Sequence, residues 1–150
     1  MVSYASTIRA LAEVRISSAK LKTLAEHVFA GCDEKDGLKD GLIDDPRKCG
    51  FTPSRDLPKC PGDSNNVDCF TLKEIAALEK IYADVLSQGK RFFPGWPVGA
   101  EIAAHGSSGW ISWLVRDNDR LVSVLFGESF FRYMPFPETD PKYDLARFDF

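Results

Sequence analysis

The segment from residue 31 to residue 50 concentrates side chains that could bind a metal ion. Its sequence is GCDEKDGLKDGLIDDPRKCG, with five Asp residues and one Glu between positions 33 and 45. Carboxylates at that density repel one another unless positive charge lies among them. A cysteine stands near each end of the segment, at positions 32 and 49.

Three of these acidic residues follow the pattern D-x-x-D-G-x-x-D-G, in which glycines let the backbone turn tightly. Calcium takes roughly six to eight oxygen ligands from carboxylates, backbone carbonyls and water. The pattern therefore predicts a structural calcium site. Its ligands would be the side chains of Asp33, Asp36 and Asp40 and the carbonyls of Leu38 and Leu42.

The EF-hand template does not fit this loop. Counted from Asp36, the third position is Leu38 and the twelfth is Arg47, where an EF-hand has its bidentate Glu. The site would be a single loop of another kind. The alternative is a solvated acidic turn in which the Asp side chains only cap short helices.

The four cysteines, at positions 32, 49, 60 and 69, lie in one Gly-, Pro-, Asp- and Asn-rich stretch. An even, clustered set favours disulfides and an oxidising compartment. Zinc is the rival interpretation, but the spacing lacks the close C-x2-4-C pairs of common zinc sites. Free thiols are the third. Four cysteines allow three disulfide pairings, and the spacing leaves all of them open.

The composition places few limits on function. The 150 residues are enough for one domain with a core, and 44% hydrophobic with 27% charged residues is ordinary for a globular protein. A net charge of −3 and the lack of a basic run favour neither nucleic acid nor a membrane as a partner. Residues 1–18 contain no apolar run that would make a signal peptide or a membrane span. A chain without a signal peptide is not expected to reach the oxidising compartment where disulfides form, unless it is a piece of a longer protein.

The clearest predicted helix covers residues 71–88. Thr71 and Glu74 have the spacing of a capping box, and apolar residues recur every three or four positions after them. Gly89 would then be the residue that ends the helix.

Other helices are predicted over residues 17–30, with Ser17 or Ser18 as the cap, and over residues 119–134. Residues 5–14 favour a further short helix. Trp110 and Trp113, three apart, are expected on one helical face. Segments 31–70 and 92–101 are rich in turn residues and predicted to be irregular, whereas residues 135–150 are proline-rich and predicted to be extended.

Five motifs, in this order over roughly residues 17–150, resemble the tannase and feruloyl esterase family of α/β-hydrolases. That family includes the enzyme that cleaves mono(hydroxyethyl) terephthalate. The motifs are CDEKDGLKDGLIDDPRKCGFTP, DCFTLKEIAALEKIY, FFPGWPVGAE, GWISWL and FDF. The first and third are the most specific.

The resemblance implies that this chain is a lid domain. Members of the family have an α/β-hydrolase domain with a large lid inserted between the nucleophile strand and the last catalytic residues. Residues 17–150 would form the lid and residues 1–16 a connecting segment. The implied fold is mainly α with long irregular loops, with an α+β arrangement as the alternative, and disulfides and calcium would staple it.

The resemblance also implies roles for individual residues. It supports the calcium ligands given above and the disulfides Cys32–Cys49 and Cys60–Cys69. Lid aromatics contact the ring of the substrate in this family, and by position these are Trp113 and Phe126, with Phe130 as a weaker candidate. Spacing alone favours the alternative that all three belong to the core.

The family's nucleophile motif, Cys-Ser-x-Gly-Gly, is absent from this chain. The segment HGSSGW offers His105, Ser107 and Ser108, but it lacks the spacing of a nucleophile elbow. Neighbours in sequence also rarely form a triad. We therefore predict that this chain carries no catalytic triad and that the missing α/β-hydrolase domain is its partner.

Three functions remain at this point. The first is the lid of a carboxylic ester hydrolase acting on aromatic or phenolic esters, secreted or periplasmic because of its disulfides and calcium. The second is a free-standing calcium-binding module for aromatic ligands or a partner protein. The third is a miniature active esterase.

Overall fold

The structure is a computed structural model that describes residues 2–62, 64–102, 109–111, 113–115 and 121–145. Within these ranges it is mainly helical, with one two-stranded antiparallel sheet. Short 3-10 turns cover Asp33–Asp36 and Pro46–Lys48. The helices and strands are α1 (Val2–Ala10), α2 (Ser18–Cys32), α3 (Pro53–Asp56), α4 (Leu72–Tyr82), β1 (Val85–Ser87), β2 (Lys90–Phe93) and α5 (Val122–Tyr133).

Helix α2 confirms the helix predicted over residues 17–30. The backbone N–H of Lys20 donates to the Ser17 hydroxyl at 3.2 Å, which satisfies one of the free amides at the start of the helix. Leu21, Leu24 and Val28 lie on the buried face, at the spacing expected for a helix against a core. Helix α1 begins three residues earlier than the predicted helix at 5–14.

Helix α4 begins as predicted. The Glu74 N–H donates to the Thr71 hydroxyl at 3.3 Å, and the Thr71 N–H donates to the Glu74 carboxylate at 2.8 Å, so the capping box is complete. The predicted end at residue 88 is wrong, because the helix stops at Tyr82. Residues beyond it form a hairpin instead.

The hairpin replaces the last predicted turns of α4. Strand β1 pairs antiparallel with β2, and Gln88 and Gly89 form the turn with φ values of 50° and 75°. Two successive residues with positive φ are typical of a type I′ hairpin. Gly89 is therefore a hairpin residue and not a helix cap. Gly95 lies so close to the Tyr82 carbonyl, at the end of the helix, that any side chain at position 95 would clash there.

The expectation that Trp110 and Trp113 share a helical face is also wrong. The N–H groups of Leu114 and Val115 both donate to the Trp110 carbonyl, at 2.8 and 3.0 Å, which makes a single turn. Trp110 is buried in the core and Trp113 is only half-buried. Helix α5 confirms the helix predicted over 119–134, whose first two residues lie outside the described ranges.

Two clusters of apolar side chains form the core. A smaller one joins α1, α5 and the tail through Ala5, Phe131 and Leu145. The tail is not extended as predicted: residues 134–138 form bends and residues 141–142 a turn. The larger cluster lies between α2, α4 and the turn at Trp110, and consists of Ile16, Leu21, Leu24, Val28, Leu57, Phe70, Ile75, Leu78, Ile81, Trp110, Leu114 and Val115.

A buried ion pair joins α2 to α4. The ammonium of Lys20 lies 2.7 Å from a Glu74 carboxylate oxygen, and each side chain is at most 5% exposed. Lys20 also donates to the side-chain oxygen of Asn65 and lies 5.4 Å from the centre of the Phe70 ring. Burying two charges is tolerated here because their hydrogen-bonding groups have partners.

A second buried carboxyl, Glu101, fixes the segment that follows the hairpin. It accepts hydrogen bonds from the Tyr82 hydroxyl at 2.8 Å and from the Gly99 N–H at 2.9 Å. Its backbone carbonyl accepts from the Trp110 N–H at 3.2 Å. Burial raises the pKa of Glu101, and burial together with the nearby carboxylate raises the pKa of Tyr82. Glu101 therefore joins the two segments that carry Trp96 and Trp113.

The raised pKa of Glu101 makes stability depend on pH. The native state keeps this proton at pH values where the unfolded chain has lost it, so the stabilisation is complete below the ordinary value of 4.5 and is lost as pH rises through the higher native pKa. We expect Glu101→Gln to remove this fall in the free energy of unfolding, measured by urea denaturation from pH 4.5 upwards. Glu101→Leu should cost about 1–3 kcal/mol, because the Tyr82 and Gly99 donors lose their acceptor.

Glu26→Gln is the matched control, since Glu26 is an exposed residue of α2. It should leave the pH dependence as in the unchanged chain. If the free energy of unfolding changes equally with pH in Glu101→Gln and in the unchanged chain, Glu101 is not the source of the pH dependence.

Candidate calcium loop and aromatic surface

Two disulfides hold the irregular region between α2 and α4. The structure pairs Cys32 with Cys49 and Cys60 with Cys69, the pairing that the family resemblance implies, and no free cysteine remains. The first closes the acidic loop. The second closes a short loop whose Asn65 accepts from Lys20.

The three predicted acidic ligands accept hydrogen bonds from the backbone of their own loop. The Asp33 carboxylate accepts from the Gly41 N–H at 2.9 Å, and the Asp40 carboxylate accepts from the Leu42 N–H at 3.0 Å. Asp36 accepts from two amides, at 3.0 and 3.3 Å, and these bonds lower its pKa. Backbone amides of the loop, and not side-chain donors, therefore orient these three carboxylates.

Two other acidic residues of the loop form ion pairs with basic side chains. Asp45 forms an ion pair with Arg47 at 2.7 Å, which lowers the pKa of Asp45, and Glu34 lies 3.3 Å from the Lys39 ammonium. Among the described residues, no Lys or Arg forms such a pair with the three predicted ligands. The charge of Lys48 nevertheless contributes to the lowered pKa of Asp36.

The backbone of the loop needs glycine where the sequence has it. Gly37 has φ of 101° and Gly41 has φ of 78°, both in the left-handed region that other residues rarely adopt. The side chains of Leu38 and Leu42 are 62% and 51% exposed, so these residues do not contribute to the core. The glycine spacing thus serves loop geometry.

The donor set fits calcium by its chemistry, because it consists of carboxylate and carbonyl oxygens alone. Over the residues that the structure describes, no group of three or more His, Cys, Asp or Glu side chains could hold a metal ion. Asp33, Asp36 and Asp40 therefore do not converge as a ligand cluster among the described residues, and calcium binding by this loop stays a prediction. A cleft of about 260 Å³ lies beside Asp36 and Asp44, and Lys35 and Lys48 also line it.

Two of the three predicted substrate contacts lie together. The Trp113 and Phe126 rings are 5.8 Å apart at an interplanar angle of 32°, and Phe126 is 54% exposed. Phe130 lies elsewhere: its ring meets Phe131 edge-on at 5.2 Å, beside the smaller core cluster. A role in substrate binding stays a prediction for all three.

Sequence reasoning missed Tyr4 and Trp96 as members of this surface. Tyr4 of α1 stacks on Trp113 at 5.8 Å and on Trp96 at 5.9 Å. Trp96 lies in the motif FFPGWPVGAE, so the family resemblance could have identified it. No motif includes Tyr4. We name Tyr4, Trp96, Trp113 and Phe126 the aromatic row.

Further apolar side chains are exposed beside the aromatic row. On α5 the buried residues include Ser123, Gly127 and Phe131, and the other face exposes Leu125 (45%) and Tyr133 (56%) as well as Phe126. Strand β2 is exposed along its whole length. None of the described helices has the length and apolarity needed to span a bilayer.

The residues of the HGSSGW segment that could suggest catalysis, His105, Ser107 and Ser108, lie outside the described ranges. The buried titratable groups described above are engaged in structural hydrogen bonds.

Comparison with known proteins gives three findings. An uncharacterized esterase of Xanthomonas campestris pv. campestris is 34% identical over 101 residues, covering 66% of this chain and 16% of that protein. A probable feruloyl esterase B-2 of Aspergillus flavus is 26% identical over 126 residues, covering 81% and 20%. The crystal structure of feruloyl esterase B from Aspergillus oryzae superposes with a TM-score of 0.71 at 21% identity, covering 98% of this chain and 28% of that one.

The chain thus matches about a fifth of the length of these two relatives, and almost all of it fits one part of a larger esterase fold. The sequence profile described as "Tannase and feruloyl esterase" matches residues 2–146. The chain belongs to the tannase and feruloyl esterase family.

Proposed function

We propose that this chain is the lid of a carboxylic ester hydrolase that acts on aromatic or phenolic esters. The observation that carries the proposal is the pair of Trp113 and Phe126. In this chain, a member of the family, the two rings are adjacent and partly exposed. Aromatic rings attract one another in offset or tilted arrangements, so this pair suits the ring of an ester substrate.

The chemical step belongs to a second domain in this proposal. Serine attack on the ester carbonyl, an acyl-enzyme and its hydrolysis require a nucleophile, a base and an oxyanion hole, which the family keeps in its α/β-hydrolase domain. The residues of this chain bind the ring, orient the ester and exclude water from it. In this mechanism a domain without a triad contributes by binding the substrate for the domain that cleaves it.

The proposed partner is this α/β-hydrolase domain of the same parent protein. The relatives are several times longer than the matched region, so most of such a protein lies outside this chain. The exposed apolar face of α5, with Leu125, Phe126 and Tyr133, is the kind of surface that an adjoining domain covers.

The acidic loop is proposed to bind one structural calcium ion. Asp33, Asp36 and Asp40 would hold it together with the carbonyls of Leu38 and Leu42. Among the described residues none of these three carboxylates has an ion-pair partner, although the Lys48 charge helps to lower the pKa of Asp36, and calcium would supply further positive charge. Two disulfides and a calcium site also favour a secreted or periplasmic protein.

The ring-binding role is tested with methyl cinnamate, followed by tryptophan fluorescence of the purified chain. We expect Phe126→Ala to weaken binding about three- to tenfold, the loss of one aromatic contact. Leu125→Ala is the matched control, because Leu125 is a neighbouring exposed residue of α5 outside the aromatic row. If the two variants bind methyl cinnamate with equal affinity, Phe126 does not contact the ring of the ligand.

The calcium site is tested by thermal unfolding with calcium and with a chelator. A hundredfold excess of calcium over its Kd adds about 2.7 kcal/mol to the free energy of unfolding, which raises Tm by about 5–10 °C. Asp36→Ala should abolish this difference. Asp44→Ala, in the same loop but outside the proposed ligand set, should retain it, and an unchanged Tm in the original chain would exclude the site.

The location of the chemistry is tested by hydrolysis of a nitrophenyl ester. We expect the purified chain to cleave it no faster than buffer, because no triad is predicted here. The Ser107→Ala and Ser108→Ala variants should behave as the unchanged chain does. Enzyme-like turnover that disappears in either variant would instead establish a miniature esterase.

A further inference from the structure

A pocket of about 730 Å³ lies where three segments of the chain meet. These are the connection between α1 and α2, the segment around the Cys60–Cys69 disulfide, and the first turn of α4. None of its described lining residues belongs to the acidic loop or to the aromatic row. We name it the basic pocket, after the three basic side chains of its lining, which are Arg15, Lys59 and Lys73.

The three basic side chains of the pocket have no ion-pair partner among the described residues, and each residue is exposed. By contrast, the arginines at positions 47, 55, 91 and 132 each pair with a carboxylate. Positive charge is thus concentrated in one pocket of a chain whose net charge is −3. Like charges repel one another, and an anion between them relieves that repulsion.

Two carboxylates also line the pocket, but they do not cancel its positive charge. Glu74 is buried, and its charge is matched by the ammonium of Lys20 at 2.7 Å. Glu13 is exposed and has no ion-pair partner in the part of the chain that the structure describes. Three unpaired positive charges therefore face one unpaired negative charge, which favours a ligand with more than one anionic group.

Backbone hydrogen bonds hold one wall of the basic pocket in place. The Cys60 N–H donates to the Phe70 carbonyl at 3.0 Å, and the Phe70 N–H donates to the Pro58 carbonyl at 2.8 Å. Lys59 lies between these two bonds, so its backbone is fixed beside the start of α4. The wall is thus formed before a ligand binds, which lowers the entropic cost of binding.

The hydrogen-bonding groups that the lining leaves free are mostly donors. Arg15, Lys59 and Lys73 have donors only. The Asn65 side-chain oxygen accepts from Lys20 at 2.5 Å, so the two amide N–H donors of Asn65 are left for a ligand. The complementary ligand has several oxygen acceptors, some charged and some neutral. A chain of acidic sugars has both kinds, because it carries carboxylates as well as hydroxyl oxygens.

The lining is poorly suited to a nucleic acid. No aromatic side chain is among its described residues, whereas single-stranded nucleic acids are bound largely by stacking of bases on aromatic rings. Duplex DNA is bound through many phosphate contacts, and a chain with a net charge of −3 is ill suited to supply them. A short acidic sugar chain needs only a local excess of positive charge.

We propose that the basic pocket binds an acidic oligosaccharide, whose uronate carboxylates pair with Arg15, Lys59 and Lys73. The amide of Asn65 donates to its hydroxyl oxygens. A site of this kind attaches the protein to an acidic polysaccharide. The proposal does not depend on the ring-binding role of Trp113 and Phe126, because neither residue lines the basic pocket.

The test is isothermal titration calorimetry of the purified chain with trigalacturonate at low ionic strength. Maltotriose, an uncharged sugar of the same length, should bind about tenfold more weakly, because it forms no ion pairs. Binding of trigalacturonate should also weaken about fivefold or more at an ionic strength of about 0.3 M, since salt screens exposed charges. Equal affinities for the two sugars would overturn the proposal.

Charge variants test whether the basic pocket is the binding site. Arg15→Gln, Lys59→Gln and Lys73→Gln should each weaken binding about two- to fivefold, the loss of one exposed ion pair. Glu13→Gln should strengthen binding about twofold, because it removes a carboxylate that repels the ligand. These residues are exposed, so the substitutions should not unfold the chain.

Lys80→Gln is the matched control for Lys73→Gln. Lys80 is an exposed lysine of the same helix that does not line the pocket, and its substitution changes the net charge equally. It should leave the affinity for trigalacturonate unchanged. Equal losses in Lys80→Gln and Lys73→Gln would mean that the sugar is attracted by overall charge alone, which overturns the proposal.

Other anions distinguish an acidic sugar from its competitors. Triglutamate, a peptide with three side-chain carboxylates, should bind about threefold more weakly than trigalacturonate, because it lacks the hydroxyl oxygens that accept from Asn65. Inorganic phosphate should not compete with trigalacturonate at equal concentration. Triglutamate binding as tightly as the sugar would assign the pocket to an acidic peptide, and efficient competition by phosphate would assign it to a small oxyanion; either result overturns the proposal.

Phe126→Ala separates this proposal from the proposed function. It should leave the affinity for trigalacturonate unchanged while it weakens methyl cinnamate. If it weakens the sugar as well, the sugar lies on the aromatic row and the basic pocket is rejected. If it weakens neither ligand, the ring-binding role fails and the basic pocket stands.

Discussion

The carboxylate of Glu74 is the interaction on which the arrangement of this chain depends most. It caps α4 by accepting from the Thr71 N–H, and it pairs with Lys20 of α2. Lys20 in turn donates to Asn65, inside the loop closed by Cys60 and Cys69. One buried carboxylate thus fixes two helices and a disulfide loop relative to one another. Removing a single partner of such a pair typically costs about 3–5 kcal/mol, because the other charge stays buried.

This arrangement leaves the acidic loop outside the core. Between residues 33 and 50 only Asp33 is buried, so apolar packing contributes little to the order of the loop. Its shape depends instead on the Cys32–Cys49 disulfide, on backbone amides that donate to carboxylates, and on Gly37 and Gly41. The loop is therefore ordered by crosslinking and hydrogen bonding, whereas the helices are ordered by apolar packing.

The elements that the sequence predicts well are those decided by local interactions. The starts of α2 and α4 depend on Ser17 and Thr71, which cap amides three residues away. The end of α4 is different. Val85 and Leu86 continue the helical apolar spacing, but they pair with Phe93 and Arg91 in the hairpin, and this pairing cannot be read from the helix pattern. The turns of the acidic loop could be read in the same local way, since Gly37 and Gly41, which the spacing singles out, both have positive φ. The aromatic row could not, because Tyr4 meets its neighbours only after folding.

The position of the aromatic row is set mainly by groups that are not aromatic. Glu101 joins the segment of Trp96 to the turn of Trp110 through the Gly99 N–H and its own carbonyl. Thr7 anchors the indole of Trp96 to α1, the helix that also carries Tyr4. The spacing between the rings therefore depends on buried hydrogen bonds, each of which requires a fixed partner. Substitutions at these buried positions are therefore expected to change the spacing of the rings even when every aromatic residue of the row is retained.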